Sequence, residues 1–251
     1  MRVELEAAYV LHARAYRETS LLLEAFSLQH GRVGLVARGV RGARSRTRAL
    51  LQPFQPVLLS WRGGGELATL SGVEAAGPAL ALQGERLLGG LYANELLLTL
   101  VARDDAQPAL FAHYQALCAA LAAGTPIEVA LRVFERDLLD ALGYRLLLAQ
   151  AADGSPLQAA LRYRYVADEG AHPASGVDDG VPVAGASLLA LGRGELADAA
   201  ARADAKRLLR AQLERLLNGR RLRTRELARA LLGGARGEPA TSSIPEGAHR
   251  R

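Results

Sequence analysis

The chain has 251 residues, half of them hydrophobic, with 31 basic side chains against 26 acidic ones and a net charge of +5. So large an apolar share excludes a disordered chain and can fill one large domain or two of ordinary size. A single cysteine, Cys118, excludes an internal disulfide and a multi-cysteine zinc site.

No apolar run approaches the roughly 18 uncharged residues of a membrane span. The opening MRVELEAAYVLHARAYRE is interrupted by charge too often for a signal peptide. The expectation is a soluble protein of a reducing cytoplasm.

Residues 1–78 read as all-β. Glu6–Tyr16, Ser20–Leu28 and Arg32–Arg38 are short apolar or alternating runs, divided by Arg17-Glu18-Thr19 and Gln29-His30-Gly31. Val57–Arg62 and Glu66–Val73 are joined by three glycines, a hairpin signal. Five short strands without a helical period fit a small barrel such as the OB-fold, whose loops bind oligonucleotides, although a small sandwich leaves a similar trace.

The third and fourth strands are separated by a segment dense in arginine. Arg38, Arg41, Arg44, Arg46 and Arg48 lie there, flanked by Arg32 and Arg62, and no Asp or Glu occurs between Glu24 and Glu66. Arginine stands for lysine almost everywhere in this chain, so arginine alone says little. The missing acids are informative, because the self-repulsion of such a segment is relieved by a polyanion. Gly39 and Gly42 permit sharp turns, and Ser45 and Thr47 offer neutral donors for phosphate oxygens. These arginines are candidate DNA contacts.

From Pro78 the period becomes helical. Glu85–Val101 forms a first helix. Leu110, Tyr114, Leu117, Cys118 and Leu121 line one face of a second that Pro108 starts. Ile127, Leu131, Phe134 and Leu138 line a third, with Thr125 as its expected N-cap and Gly124 and Gly143 as stops. Residues 146–186 lose the period and gain Gly, Pro and Asp, which reads as a loop-rich insert or a small subdomain with a strand at Leu161–Val166. Helix resumes at Ser187–Leu191 and Ala200–Leu217, ending at Asn218-Gly219. A second basic knot follows, Arg220, Arg221, Arg223 and Arg225, a separate set of candidate DNA contacts, then a last helix over Thr224–Leu232. The domains expected are 1–78, 79–233 and a disordered tail over 234–251.

Chemistry-bearing motifs are absent. No phosphate-binding glycine loop, nucleophile elbow or zinc-protease signature occurs. The five histidines are scattered, Asp104-Asp105 and Asp178-Asp179 read as turn residues, and Cys118 sits on an apolar helix face. The expectation is a protein without catalysis, cofactor or metal.

Six blocks then assemble in order: AYVLHARAYRETSLLLEAF, HGRVGLVARGVRG, ALLQPFQPVLL, GLYANELL, ALRVFERDLLDALGY and NGRRLRTREL. Over nearly its whole length the chain resembles the bacterial recombination mediator family RecO. The resemblance implies an α+β protein: an N-terminal five-stranded OB-fold barrel followed by an all-helical domain with a small insert. It implies binding of single- and double-stranded DNA, annealing of complementary strands, and contact with the acidic C-terminal tail of single-stranded DNA-binding protein (SSB). With RecR, and in some settings RecF, such proteins help RecA displace SSB, a role carried out at the nucleoid. The block Ala130–Glu135 matches the family block whose arginine is implicated in the SSB contact, which singles out Arg132 with Leu131 beside it. On the helix Arg132 falls about 100° from Leu131, near a groove rim. Many members hold zinc with four cysteines in the insert. This chain has none there, so zinc does not carry over, and the insert is either held by packing of Leu161, Tyr163, Tyr165 and Val166 or loosely ordered.

The leading reading is therefore a non-catalytic DNA-binding and strand-annealing mediator. The alternative is a protein-interaction adaptor whose basic clusters mainly bind acidic partner peptides. A metal-dependent nuclease would need a carboxylate cluster that the sequence does not offer.

Overall fold

Alternation of apolar residues along five strands closes the N-terminal region into a barrel. The strands are β1 (Arg2–Tyr16), β2 (Ser20–Ser27), β3 (Gly31–Ala37), β4 (Pro56–Arg62) and β5 (Ala68–Ala75), hydrogen-bonded in the order β1-β2-β3-β5-β4. The neighbours are antiparallel except β3 and β5, which close the barrel in parallel through Leu35–Ala68 and Val36–Thr69. Their order is that of the five-stranded OB barrel. The computed structural model describes residues 1–42, 45–175 and 179–234, with the backbone alone over 231–234. Arg44, Asp178 and the tail after residue 234 lie outside the described residues.

β1 and β2 feed two cores, because successive side chains point to opposite faces. Ala8 and Val10 of β1 enter the barrel with Leu23, Leu35, Leu59 and Trp61. Tyr9, Leu11 and Phe26 point outward and join the helical core. Tyr9 meets Tyr114 edge-on at 5.2 Å, and Phe26 meets Phe111 at 5.7 Å. A bulge between Val10 and His12 shifts the register of β1 against β2.

The sequence reading missed a one-turn helix, α1 (Arg46–Leu50), inside the arginine segment. Ser45 caps it by accepting from the Arg48 N–H at 3.3 Å, and Leu51 at its end is fully buried in the barrel. Five residues are too few to show a helical period.

The helical domain begins with α2 (Gly84–Leu100), α3 (Pro108–Ala123) and α4 (Ile127–Ala141). The expected face of α3 is buried throughout, and Gly124 ends the helix in the left-handed region. Thr125 does not cap α4. Pro126 holds the N-cap position without a side-chain bond, and the Thr125 N–H is spent on Ala120 O of the preceding helix. Barrel and helices approach closely at two glycines. A Cβ on Gly90 would lie 2.7 Å from the Phe54 ring, and one on Gly31 (φ +62°) would lie 1.9 Å from Asp105 O.

The insert is better ordered than a loop-rich segment. It holds a three-stranded antiparallel sheet, β6 (Arg162–Val166) between β7 (Gly170–Pro173) and β8 (Val181–Ala184). Strands of four or five residues leave too short an alternation to be legible. Tyr163 and Tyr165 anchor it: both rings are buried, and their hydroxyl oxygens accept from the N–H groups of Gln158 and Leu147 at 3.0 and 2.8 Å. Leu161 does not share that role, being exposed just before β6. The helices α5 (Gly185–Arg193), α6 (Ala199–Leu217) and α7 (Arg223–Gly234) complete the described chain. Among the described residues, no helix is long and apolar enough to cross a membrane.

Candidate nucleic-acid interface and basic groove

The arginine segment leaves β3 at one end of the barrel and is fastened to the β1–β2 turn. The Arg41 N–H donates to Thr19 O at 3.1 Å, and Arg41 Nη1 donates to the carbonyls of Arg17 and Glu18 at 2.7 and 2.9 Å. Arg48 Nη1 in turn donates to Arg41 O at 3.2 Å. These neutral partners hold the side chains without cancelling their charge. Arg38, Arg41, Arg46 and Arg48 are all exposed, and Arg17 of the adjoining turn is exposed beside them. Among the described residues, none of these five forms an ion pair with a carboxylate. The sequence reading missed Arg17, since only the bonds across the turn bring it to the loop.

Arg32 stands apart from this set. Its Nη1 donates to Leu97 O at 3.4 Å and to Leu98 O, and its Nε lies 3.6 Å from Glu24. Burial pulls this guanidinium below its usual range; Glu24 opposes that shift and Arg103 adds to it. Arg103 also pairs with Glu24. Arg32 therefore ties the barrel to the C-terminal end of α2, where a cation meets the free carbonyls. The lack of local acids around Arg32 in sequence is made good by Glu24 across the β2–β3 ladder.

The second basic knot is not one surface. Buried Leu222 pivots the chain between α6 and α7 and sends its neighbours different ways. Arg220 donates to Thr99 O at 3.3 Å, again at the end of α2, while Arg221 and Arg223 are exposed. Glu95 of α2 caps α7, accepting from the N–H groups of Arg223 and Thr224 at 2.8 and 3.0 Å and from the Thr224 hydroxyl at 2.5 Å. Arg225 turns the other way, over the Tyr92 ring at 5.4 Å.

That orientation carries Arg225 into a groove of about 360 Å³ between α2, α4, α6 and α7. Leu88, Ile127, Leu131 and Ala228 give it apolar walls. Five cations, Arg132, Lys206, Arg210, Arg225 and Arg229, outnumber three carboxylates, Glu85, Glu128 and Glu135. Leu131 is on the wall, as its helical position implies. Arg132 is on the floor rather than the rim: it is 8% exposed, and its Nη2 donates to Glu135 Oε1 at 2.6 Å. The Nε of Arg132 is buried and has no hydrogen-bond partner among the described residues, so one donor of a fork built for carboxylates is unused there. Glu135 also accepts from the Tyr92 hydroxyl at 2.7 Å, to which Arg225 donates at 3.0 Å. Burial, followed by the Glu135 charge, raises the Tyr92 hydroxyl far above its usual range, so it stays a neutral donor.

Lys206 and Arg210 on α6, and Arg225 and Arg229 on α7, stand four residues apart, so each pair shares a helix face. That spacing was visible in the sequence, whereas the convergence of the two faces was not. No group of His, Cys, Asp or Glu able to hold a metal occurs among the described residues. Burial pushes the Cys118 thiol up to about 12, which suits a core residue and not a nucleophile.

The chain matches the family model "Recombination protein O N terminal" over residues 1–79 and "Recombination protein O C terminal" over residues 81–226. It is 47% identical to a DNA repair protein RecO of Methylococcus capsulatus, over 91% of this chain and 94% of that protein. A namesake in Nitrosococcus oceani is 48% identical over 92% and 95% of the two chains. Another, in Halorhodospira halophila, is 45% identical over 90% and 97%.

Proposed function

The chain belongs to the RecO family of DNA repair proteins, and from that premise we propose that it is a non-catalytic mediator that binds and anneals single strands and helps load RecA onto SSB-coated DNA. The observation that carries this reading is the arginine-rich end of the barrel. Exposed guanidinium groups there are held by neutral carbonyls and lack carboxylate partners among the described residues. Such a surface attracts any phosphate backbone and releases its counterions, without reading sequence. Both single strands and duplexes are accordingly ligands.

The groove supports a second contact. An acidic peptide ending in an aromatic residue and a free carboxylate would lay its ring on Leu131 and its neighbours and its charge on the surrounding cations. The SSB tail has that chemistry in the family reading. RecR, and RecF where it is used, are the further partners proposed, with the nucleoid as the place of action.

Annealing of complementary oligonucleotides, bare and SSB-coated, tests the proposal. Accelerated annealing of both substrates is the expected result. If tail peptides bind but neither substrate anneals, the adaptor reading replaces it.

A further inference from the structure

The β1–β2 turn brings an aromatic ring as well as a cation beside the arginine loop. Tyr16, half-buried at the end of β1, carries the Arg17 guanidinium over its ring, 5.2 Å from the centroid. Beyond the bulge, Ala13 packs on the barrel core, and alternation sets His12, Arg14 and Tyr16 on the opposite, outer side. The bonds from Arg41 to Arg17 O, Glu18 O and Thr19 O make turn and loop one unit. Arg17 itself holds φ +53°, a left-handed conformation that L residues seldom adopt. Residues kept in sparsely populated conformations cluster at functional sites.

We infer that Tyr16 and Arg17 form a stacking platform for an unpaired nucleobase of a single DNA strand whose phosphates lie on the arginine loop. A guanidinium plane lying on an aromatic ring presents a flat, cationic face, and unpaired bases stack on such faces whatever their identity. The bases of a duplex are already stacked on one another and cannot reach it. Phosphate contacts hold one strand or two, whereas the Tyr16–Arg17 platform adds affinity for single strands alone. This inference rests on the DNA-binding reading above and names the side chains that would read strandedness.

The test uses the full chain with an oligonucleotide carrying 2-aminopurine, presented as a single strand and as a duplex. Tyr16→Ala should weaken single-strand binding about fivefold or more. It should also reduce quenching of the probe, while leaving duplex affinity and the salt slope unchanged. Tyr16→Phe should restore both readouts, because the ring and not the hydroxyl stacks. Arg17→Gly, which suits the left-handed backbone, should lower single-strand affinity as well. Unchanged single-strand affinity in Tyr16→Ala, or an equal loss on both substrates, would overturn the platform alone. Wild-type protein that binds neither substrate in a salt-dependent way would overturn the DNA-binding reading itself.

Discussion

Arg132 and Glu135, one turn apart on α4, form a buried ion pair of 2.6 Å at the floor of the basic groove. Glu135 is 2% exposed and serves two donors, Arg132 and Tyr92. Removing one member strands the others. Glu135→Ala leaves the Arg132 charge buried without a partner, which costs about 3–5 kcal/mol. A fall in unfolding temperature on the order of 10 °C is expected in a thermal melt. Glu135→Gln, which keeps an acceptor for both donors but not the countercharge, should lose part of this. Equal melting of the wild type and the alanine variant would remove the network from the stability of the domain.

The same pair makes Arg132→Ala an ambiguous probe of peptide binding, because it uncovers Glu135. The exposed cations on α6 and α7 are cleaner. Replacing Lys206 and Arg229 together with Ala should weaken an acidic C-terminal peptide about fivefold, as two exposed ion pairs of ~0.5 kcal/mol each would give. The thermal melt should not move. Fluorescence anisotropy with a labelled peptide measures the loss, which should shrink at high salt. Full affinity in the double variant would place the peptide elsewhere.

At the barrel, each phosphate neutralised on a single strand contributes about 0.7 to the slope of log K against log salt. If Arg38, Arg41, Arg44, Arg46 and Arg48 each meet one phosphate, the loop accounts for a slope of roughly −3.5. Substituting all five with Ala should remove about that much and weaken every DNA sequence alike. Arg32→Ala should do the reverse: the slope stays while the melting temperature drops, since its guanidinium is committed to Glu24 and the end of α2. Titrations at several salt concentrations separate the two outcomes, and an unchanged slope in the five-fold variant would move the DNA track away from this loop.

The insert should fold without metal. Tyr163 and Tyr165 fill its core with their rings and satisfy backbone N–H groups with their hydroxyls. Tyr163→Ala should therefore cost about 3–5 kcal/mol, the usual range for emptying a buried aromatic site. Protein purified without a histidine tag should carry well under one zinc per chain. Stoichiometric zinc that resists chelators would show that ligands from elsewhere hold the insert.

Much of this architecture could be read in the chain. Period-two runs marked the barrel strands and period-3.6 runs marked the long helices, because each element must turn a continuous apolar face to a core. The six ordered blocks carried the family. The sequence also determined where positive charge collects, since the stretch from Glu24 to Glu66 contains no acid. It did not determine what that charge faces. Arg32 is neutralised by a carboxylate eight residues away across a β ladder, and Arg220 and Arg225 diverge around buried Leu222 although they are five residues apart. Arg17 joins the basic loop only through backbone carbonyls. The groove is assembled from four helices whose cations lie up to 97 residues apart, between Arg132 and Arg229. Charge and periodicity are properties of a residue and its near neighbours, legible locally. Pairing, burial and the direction in which a guanidinium points depend on which distant backbone comes to lie against it, and that is decided only when the barrel and the helices pack together.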